Sequence, residues 1–220
     1  MRVSKGCVRR DCNFRGLGCV TERMKRYLLS VIVALAVGLP IAANATPLVG
    51  DPVHSSARFG ITHLAISHVQ GRIPITAWSA TVNSAGMPSA LQATLDVSKV
   101  DTHEPDRDKD LRSPNFFDVA QYPTMTFVAT SIKATDATHF VAVGNLTLHG
   151  VTKPVTLTGE VLGKVTDPWG HTRFGYQART TINRQDFGMT WGKTLPGGQL
   201  IVGNDVTITI NAEGIIPKKP

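Results

Sequence analysis

The chain has 220 residues, 23 of them basic and 16 acidic, for a formal charge of +7, and 42% of its residues are hydrophobic against 18% charged. That balance excludes a disordered or collagen-like chain, and the length suits one domain or two small ones. The positive charge is concentrated at one end. The first 45 residues hold eight of the basic and two of the acidic residues, which leaves 15 against 14 for the rest. The net charge is therefore no argument for a nucleic-acid partner, and no Lys/Arg cluster interleaved with aromatics follows residue 45.

The order Met24, the basic pair Lys25-Arg26, the apolar run Leu28–Leu39 and the small-residue site Ala43-Asn44-Ala45 predicts a secretory signal peptide cleaved after Ala45. The apolar run is shorter than the roughly 20 residues a spanning helix needs. Residues 1–23 carry all three cysteines, Cys7, Cys12 and Cys19, and read as an over-long start or an extended basic region of the signal. Their spacing does not match a zinc knuckle. The expected mature domain is 46–220, periplasmic, free of cysteine and without a transmembrane anchor, so it must rely on its core alone.

From there the chain reads as strands. An opening strand is expected around Arg58–Thr62. Alternating apolar positions follow at Val69, Gly71, Ile73, Ile75 and Ala77, then at Leu91, Ala93, Leu95 and Val97. After a break come Met125, Phe127 and Ala129, then Phe140, Ala142, Gly144, Leu146 and Leu148, then Val155, Leu157, Gly159 and Val161. Phe174, Tyr176, Ala178, Thr180 and Ile182 continue the pattern, and Val206, Ile208, Ile210 and Ala212 close it. Period-two alternation repeated this often predicts half-buried antiparallel strands. Eight of them suit a small up-and-down barrel. Turn residues at Asn83–Gly86, Thr135-Asp136, His149-Gly150 and Asp167–Gly170 separate the runs.

Lys99–Pro123 lacks strand periodicity. Asp106–Leu111 is expected to form a short helix with acids in its first turn. Ser113-Pro114 is expected to start a second one carrying Phe116 and Phe117. Two adjacent aromatics on a short helix need cover, so they are expected to close one barrel mouth as a lid. A further helical turn is expected at Asn183–Phe187, and Leu195–Gly198 reads as a loop.

No chemistry rises above this frame. The histidines match no closed metal site, although His63, His68 and His103 lie near one another or near acids. Asp106, Asp108 and Asp110 start like a calcium loop but lack its Gly and Glu, since Leu111 and Phe117 stand in those places. There is no G-x-S-x-G elbow, so no catalytic residue, metal or required cofactor is assigned. Small inward residues such as Ala93, Ala129, Ala142, Gly144 and Ala178 among Ile, Leu and Phe leave volume for an apolar ligand inside a barrel. The same alternation also suits a filled interior, and the residues alone leave both open. A periplasmic metal- or stress-related module with a filled barrel is the alternative.

Three long blocks carry a resemblance: Arg107–Phe127, Gly144–Leu157 and Asp167–Trp191, with Phe59–Gly71 agreeing. Over roughly Ala57–Ala212 the chain resembles the YceI-like family of periplasmic, polyisoprenoid-binding proteins. The resemblance implies an all-β, eight-stranded antiparallel, lipocalin-like barrel with short helical lid segments. It also implies an exported, non-enzymatic carrier of a long isoprenoid-like lipid such as an isoprenoid quinone, an isoprenyl phosphate or a fatty amide. Phe116, Phe117, Phe127, Phe140, Leu146, Tyr176, Phe187 and Trp191 are the expected wall and lid residues. Arg107, Asp110 and Arg184 are the candidate head-group contacts. The expected partner is the lipid, with no nucleic acid, and a homodimer is allowed. One departure is Asp110, where the family usually carries histidine; facing a ligand, it would disfavour an anionic head group.

Overall fold

A computed structural model describes residues 45–218; the predicted signal peptide and the three cysteines lie outside the described residues. Eight strands follow in order: β1 (Thr46–His63), β2 (Ser67–Val82), β3 (Pro88–Asp96), β4 (Thr124–Ala134), β5 (His139–Leu148), β6 (Val151–Thr166), β7 (Thr172–Asn183) and β8 (Val202–Ile215). Each pairs antiparallel with the next, and β8 returns to β1, so the sheet closes in sequence order. Closure removes the exposed edges that an open sheet would leave.

The connections divide between the two ends. The turns 83–87, 135–138 and 167–171 share one end. The turns 64–66 and 149–150 share the other with the two long connections, 97–123 and 184–201. The first long connection holds a 3-10 turn, Val97–Lys99, and the helix α1, Pro105–Arg112; the second opens with a 3-10 turn, Arg184–Phe187. The Pro at the start of α1 and the Glu104 carboxylate accepting from the N–H groups of Asp106 and Arg107 explain why the helix begins there.

Most inward positions follow the expected alternation: Phe140, Ala142, Gly144, Leu146 and Leu148 on β5 are all buried, as are Phe174, Tyr176, Ala178 and Ile182 on β7. Three expectations are corrected. β1 starts at Thr46 rather than near Arg58. A bulge between Val49 and Ser56 interrupts its ladder, which hides the alternation of its first half. Ala77 is exposed rather than inward, because a second bulge between Ile75 and Ala77 moves the inward set to Trp78, Ala80 and Val82. The second helix at Ser113-Pro114 does not form. There the chain folds back on the end of α1, with Phe117 N–H donating to Leu111 C=O and Val119 N–H to Arg112 C=O. Asp118 then turns through a positive φ of 45°, which no continuing helix permits.

The seam where β1 meets β8 is pinned by one arginine. Arg173 Nη1 lies 2.8 Å from Asp51 and 3.4 Å from Glu213, while its Nε donates to Asp167 at 2.8 Å. Asp51 also receives the N–H groups of Val53 and His54, and Asp167 those of Trp169 and His171. The β1 bulge and the β6–β7 turn are thus locked to the same guanidinium. Behind the bulge, Trp78 Nε1 donates to the Ser55 hydroxyl at 3.0 Å, and that hydroxyl donates to Asp51 C=O at 2.6 Å.

Burial alone would raise the carboxyls of Asp51 and Asp167, but the Arg173 bonds and the backbone donors outweigh it and hold both down to about 2, against an ordinary 3.8. Groups depressed in the fold contribute stability above their ordinary value and lose it as pH falls towards the folded value. Melting temperature should therefore be flat above about pH 5 and fall as pH drops from about 4 to about 2. Arg173→Met should remove much of that acid-sensitive slope and lower the melting temperature at neutral pH, since it leaves the carboxylates without their cation; thermal melts against pH check both. A slope identical to that of the parent protein would show that the node does not carry it.

Candidate functional site: the barrel lumen

The interior is not filled by side chains. A cavity of about 110 Å3, counted as the space open to the centres of water-sized spheres, lies in the barrel, walled by Phe127, Phe140, Leu146 and Tyr176 together with residues such as Ile75, Trp78, Leu95, Ile210 and Ala212. A second cavity of about 100 Å3 by the same measure lies under the long connections, bounded by Phe116, Phe117, Leu111, Ile182, Met189 and Arg184. The β8 residues Val206, Ile208, Ile210 and Ala212 are only partly buried, although they pack against the core, because they face this lumen.

The lumen stays open although its wall carries large rings. Several rings pack directly against glycines. A Cβ on Gly144 would stand 2.5 Å from Phe127 Cζ and 2.6 Å from the Val128 carbonyl oxygen. Gly159, the direct cross-strand partner of Phe140, would overlap that ring if it carried a side chain, and Gly71 stands in the same relation to Phe59. The missing Cβ lets each ring fold against the wall instead of projecting across the barrel. Small inward residues, Ala57, Ala80, Ala93 and Ala178, keep the remaining space clear.

The turn end is closed. Tyr176 O–H donates to Gly86 C=O at 2.8 Å, and its ring meets Trp78 edge-on at 5.9 Å. Burial pushes the Tyr176 phenol well above its ordinary range, so it remains a donor at any physiological pH. With its proton committed to the turn, Tyr176 offers the cavity its ring. Trp78, whose N–H is committed to Ser55, and Thr180 also carry polar atoms on that cavity's wall.

The other end is closed by the two long connections. Phe116 is buried and Phe117 half-buried, and Trp191 from the second connection rests on Phe116 with ring centroids 5.2 Å apart. Trp191 thus joins the two lid segments without lining either cavity. Phe187 is also off the lining; it is 2% exposed and part of the core beneath the 3-10 turn. The other six predicted wall and lid residues all border the lumen. Trp78, Met125, Ile208 and Ile210 border it too and were not among the predicted site residues. For Trp78 the available signal was the change of parity after Ile75, with Trp78, Ala80 and Val82 forming a new inward set.

The three charged candidates separate. Arg107 is spent on Thr102, donating from Nε to Oγ1 and from Nη2 to the carbonyl, both at 2.8 Å. Buried Asp108 holds the same threonine through its N–H and hydroxyl. Asp110 is exposed and accepts from Asn115 Nδ2 at 3.1 Å, so it borders no cavity and the repulsion expected of it there does not arise. Arg184 does border the lid-side cavity. It is 3% exposed, and its donors go to the carbonyls of Gly203 and Met189 and to Asn204 Oδ1. Among the described residues it makes no ion pair, and burial draws its pKa down. It is a buried cation held by carbonyl dipoles at the boundary of an apolar space. Arg58 on β1 also borders the lid-side cavity, but it is exposed to solvent rather than buried.

The histidines do not assemble a metal centre with the acids the sequence suggested: His103 and Asp101 are 3.7 Å apart and both exposed. Asp51, His54 and Glu213 place ligand atoms within 4.8 Å of one another, but Arg173 already bonds both acids. None of the described helices is long and apolar enough to cross a membrane.

If the glycine–ring contacts keep the lumen open, Gly159→Ala should force Phe140 off the wall. The expected outcome is a loss of about 1–3 kcal/mol, as for overpacking, together with weaker uptake of an apolar dye. Unchanged stability and dye binding would show that the ring has room elsewhere.

Residues 49–214 match the family profile described as the YceI-like domain. A UPF0312 protein of Vibrio cholerae is 34% identical over 169 residues, covering 76% of this chain and 89% of the relative. Among solved structures, a YceI protein of Campylobacter jejuni is 27% identical, with a TM-score of 0.59 over 71% of this chain and 90% of that one. A polyisoprenoid binding domain from Saccharophagus degradans, 15% identical with a TM-score of 0.57 over 79% of this chain and 100% of that one, shares the fold. A closed eight-stranded antiparallel barrel, an apolar lumen and matching sequence blocks agree, and the chain belongs to the YceI-like family.

Proposed function

We propose that the protein is an exported, non-enzymatic carrier or scavenger that holds one long isoprenoid-like lipid inside its barrel. The observation that carries this reading is the lumen itself: two adjoining apolar cavities with a single buried charge, Arg184, at the lid side. Water held in such a space finds few partners, whereas each methylene moved into it gains roughly 0.8 kcal/mol. Several isoprene units exceed the ordering costs of binding. The tail occupies the inner cavity, and an electronegative head group sits towards Arg184. The apolar lumen supplies burial and orientation, and no general base or nucleophile is positioned in it. The signal-like order of Met24, Leu28–Leu39 and Ala43–Ala45 supports export to the periplasm, and the name of the Saccharophagus relative supports the ligand class.

Native mass spectrometry of protein purified from its own periplasm tests this directly. A stoichiometric extra mass that leaves with organic solvent, and a melting temperature that drops on delipidation, are the expected results. A bare mass, with no rise in melting temperature on adding lipid, would refute the carrier reading. N-terminal sequencing of the exported protein should begin at Thr46. For the lid, Phe116→Ala combined with Phe117→Ala should speed lipid release while strand content survives. Loss of stability with unchanged release would make those rings core rather than lid.

A further inference from the structure

We infer that the junction between the two cavities is a waist that selects the ligand by tail length, with Ala57, Met125 and Ile208 as its specificity-determining residues; this rests on the carrier reading above. Those three residues line both cavities. They come from opposite sides of the barrel. Ala57 on β1 pairs with Ile210 on β8, and Phe59 pairs with Ile208, so Ala57 and Ile208 are neighbours on one wall. Met125 lies on β4, four strands from β8 in either direction around the closed sheet. The passage between the cavities is therefore bounded by a methyl and a stiff β-branched side chain on one side and by a thioether on the other.

The chemistry of the three residues is unequal. Ala57 is the smallest side chain that still carries a Cβ, and nothing smaller than it lines the passage. Ile208 is restricted at χ1. Met125 is unbranched and adapts to what it packs against, so it is the member that can turn aside. A single slender chain can thread a gap of this kind. A short tail fills one cavity and leaves the other unoccupied, whereas a long tail crosses the waist and takes apolar surface out of water on both sides. Affinity should thus step upward once a tail is long enough to cross, and the step should depend on Ala57. The rate of crossing should depend on Met125.

The test uses delipidated mature protein with two probes of the same head group, farnesol as the short isoprenoid alcohol and solanesol as the long one, delivered from cyclodextrin. The parent protein should bind solanesol at least about tenfold more tightly than farnesol, a difference of ~1.4 kcal/mol. Ala57→Phe should fill the waist and bring the solanesol-to-farnesol affinity ratio from about tenfold down to about one. Met125→Ile replaces the adaptable side chain by a stiff one of strand-compatible shape, and should slow solanesol exchange by about tenfold relative to farnesol exchange. A folded Ala57→Phe variant that still prefers solanesol would overturn the inference. If that variant does not fold, Met125→Ile decides the matter, and unchanged solanesol exchange overturns it. Equal affinity of the parent protein for both alcohols would also overturn the waist while leaving the carrier reading intact. Binding of neither alcohol would bring down the carrier reading and the waist with it.

Discussion

A barrel of this size has to place large apolar rings inward to build a core, yet remain hollow. The two demands are reconciled by contact between rings and bare backbone. Phe140 lies over Gly159, Phe127 over Gly144 and Phe59 over Gly71. Each ring packs against bare backbone and still borders the lumen, so the wall is lined with aromatic surface without being plugged by it. A protein interior normally packs to crystal-like density, and a domain that departs from this gives up dispersion contacts along its cavity walls. The rest of the structure supports that departure by making the shell rigid.

The shell is secured where a closed sheet is weakest, at the meeting of its first and last strands. β1 is bulged there, and the bulge would leave backbone donors unpaired. Asp51 accepts two of them, and Arg173 ties Asp51 to Asp167 and Glu213. The Trp78–Ser55 bond reaches the same place from inside the barrel. Charge and core therefore converge on one segment. This also accounts for the Asp51–His54–Glu213 group without a metal: its negative charge already has a guanidinium beside it.

The two ends are built differently. At the turn end, short connections, Tyr176 and Gly86 make a fixed closure held by a buried hydrogen bond. At the lid end, two long connections meet through Phe116 and Trp191, and Arg184 holds the second of them to the start of β8 through backbone carbonyls. A side-chain contact between two loops is easier to open than a hydrogen-bonded turn. Under the proposed carrier function, that asymmetry assigns loading to the lid end, with the tail leading towards the turn end and the polar group remaining near Arg184.

Much of this was legible in the residues. Inward alternation on β3, β5, β6 and β7 follows from the strand period of two, and six of the eight predicted wall and lid residues do border the lumen. α1 was readable from its acids and the 3-10 turn from Asn183–Phe187, because caps and first-turn charges are local. What the sequence by itself determined was an all-β barrel with an apolar interior and an aromatic segment able to cover it, since those depend on periodicity and on interactions a few residues apart. The tertiary structure alone decided whether that interior was filled. Hollowness depends on which ring meets which glycine across strands, and on the bulges that moved Ala77 out and Trp78 in. It also decided the charged positions. Asp110 faces solvent and Arg107 is spent on Thr102, whereas Arg184 borders a cavity, because the side on which a charge ends up is set by how distant strands close the barrel.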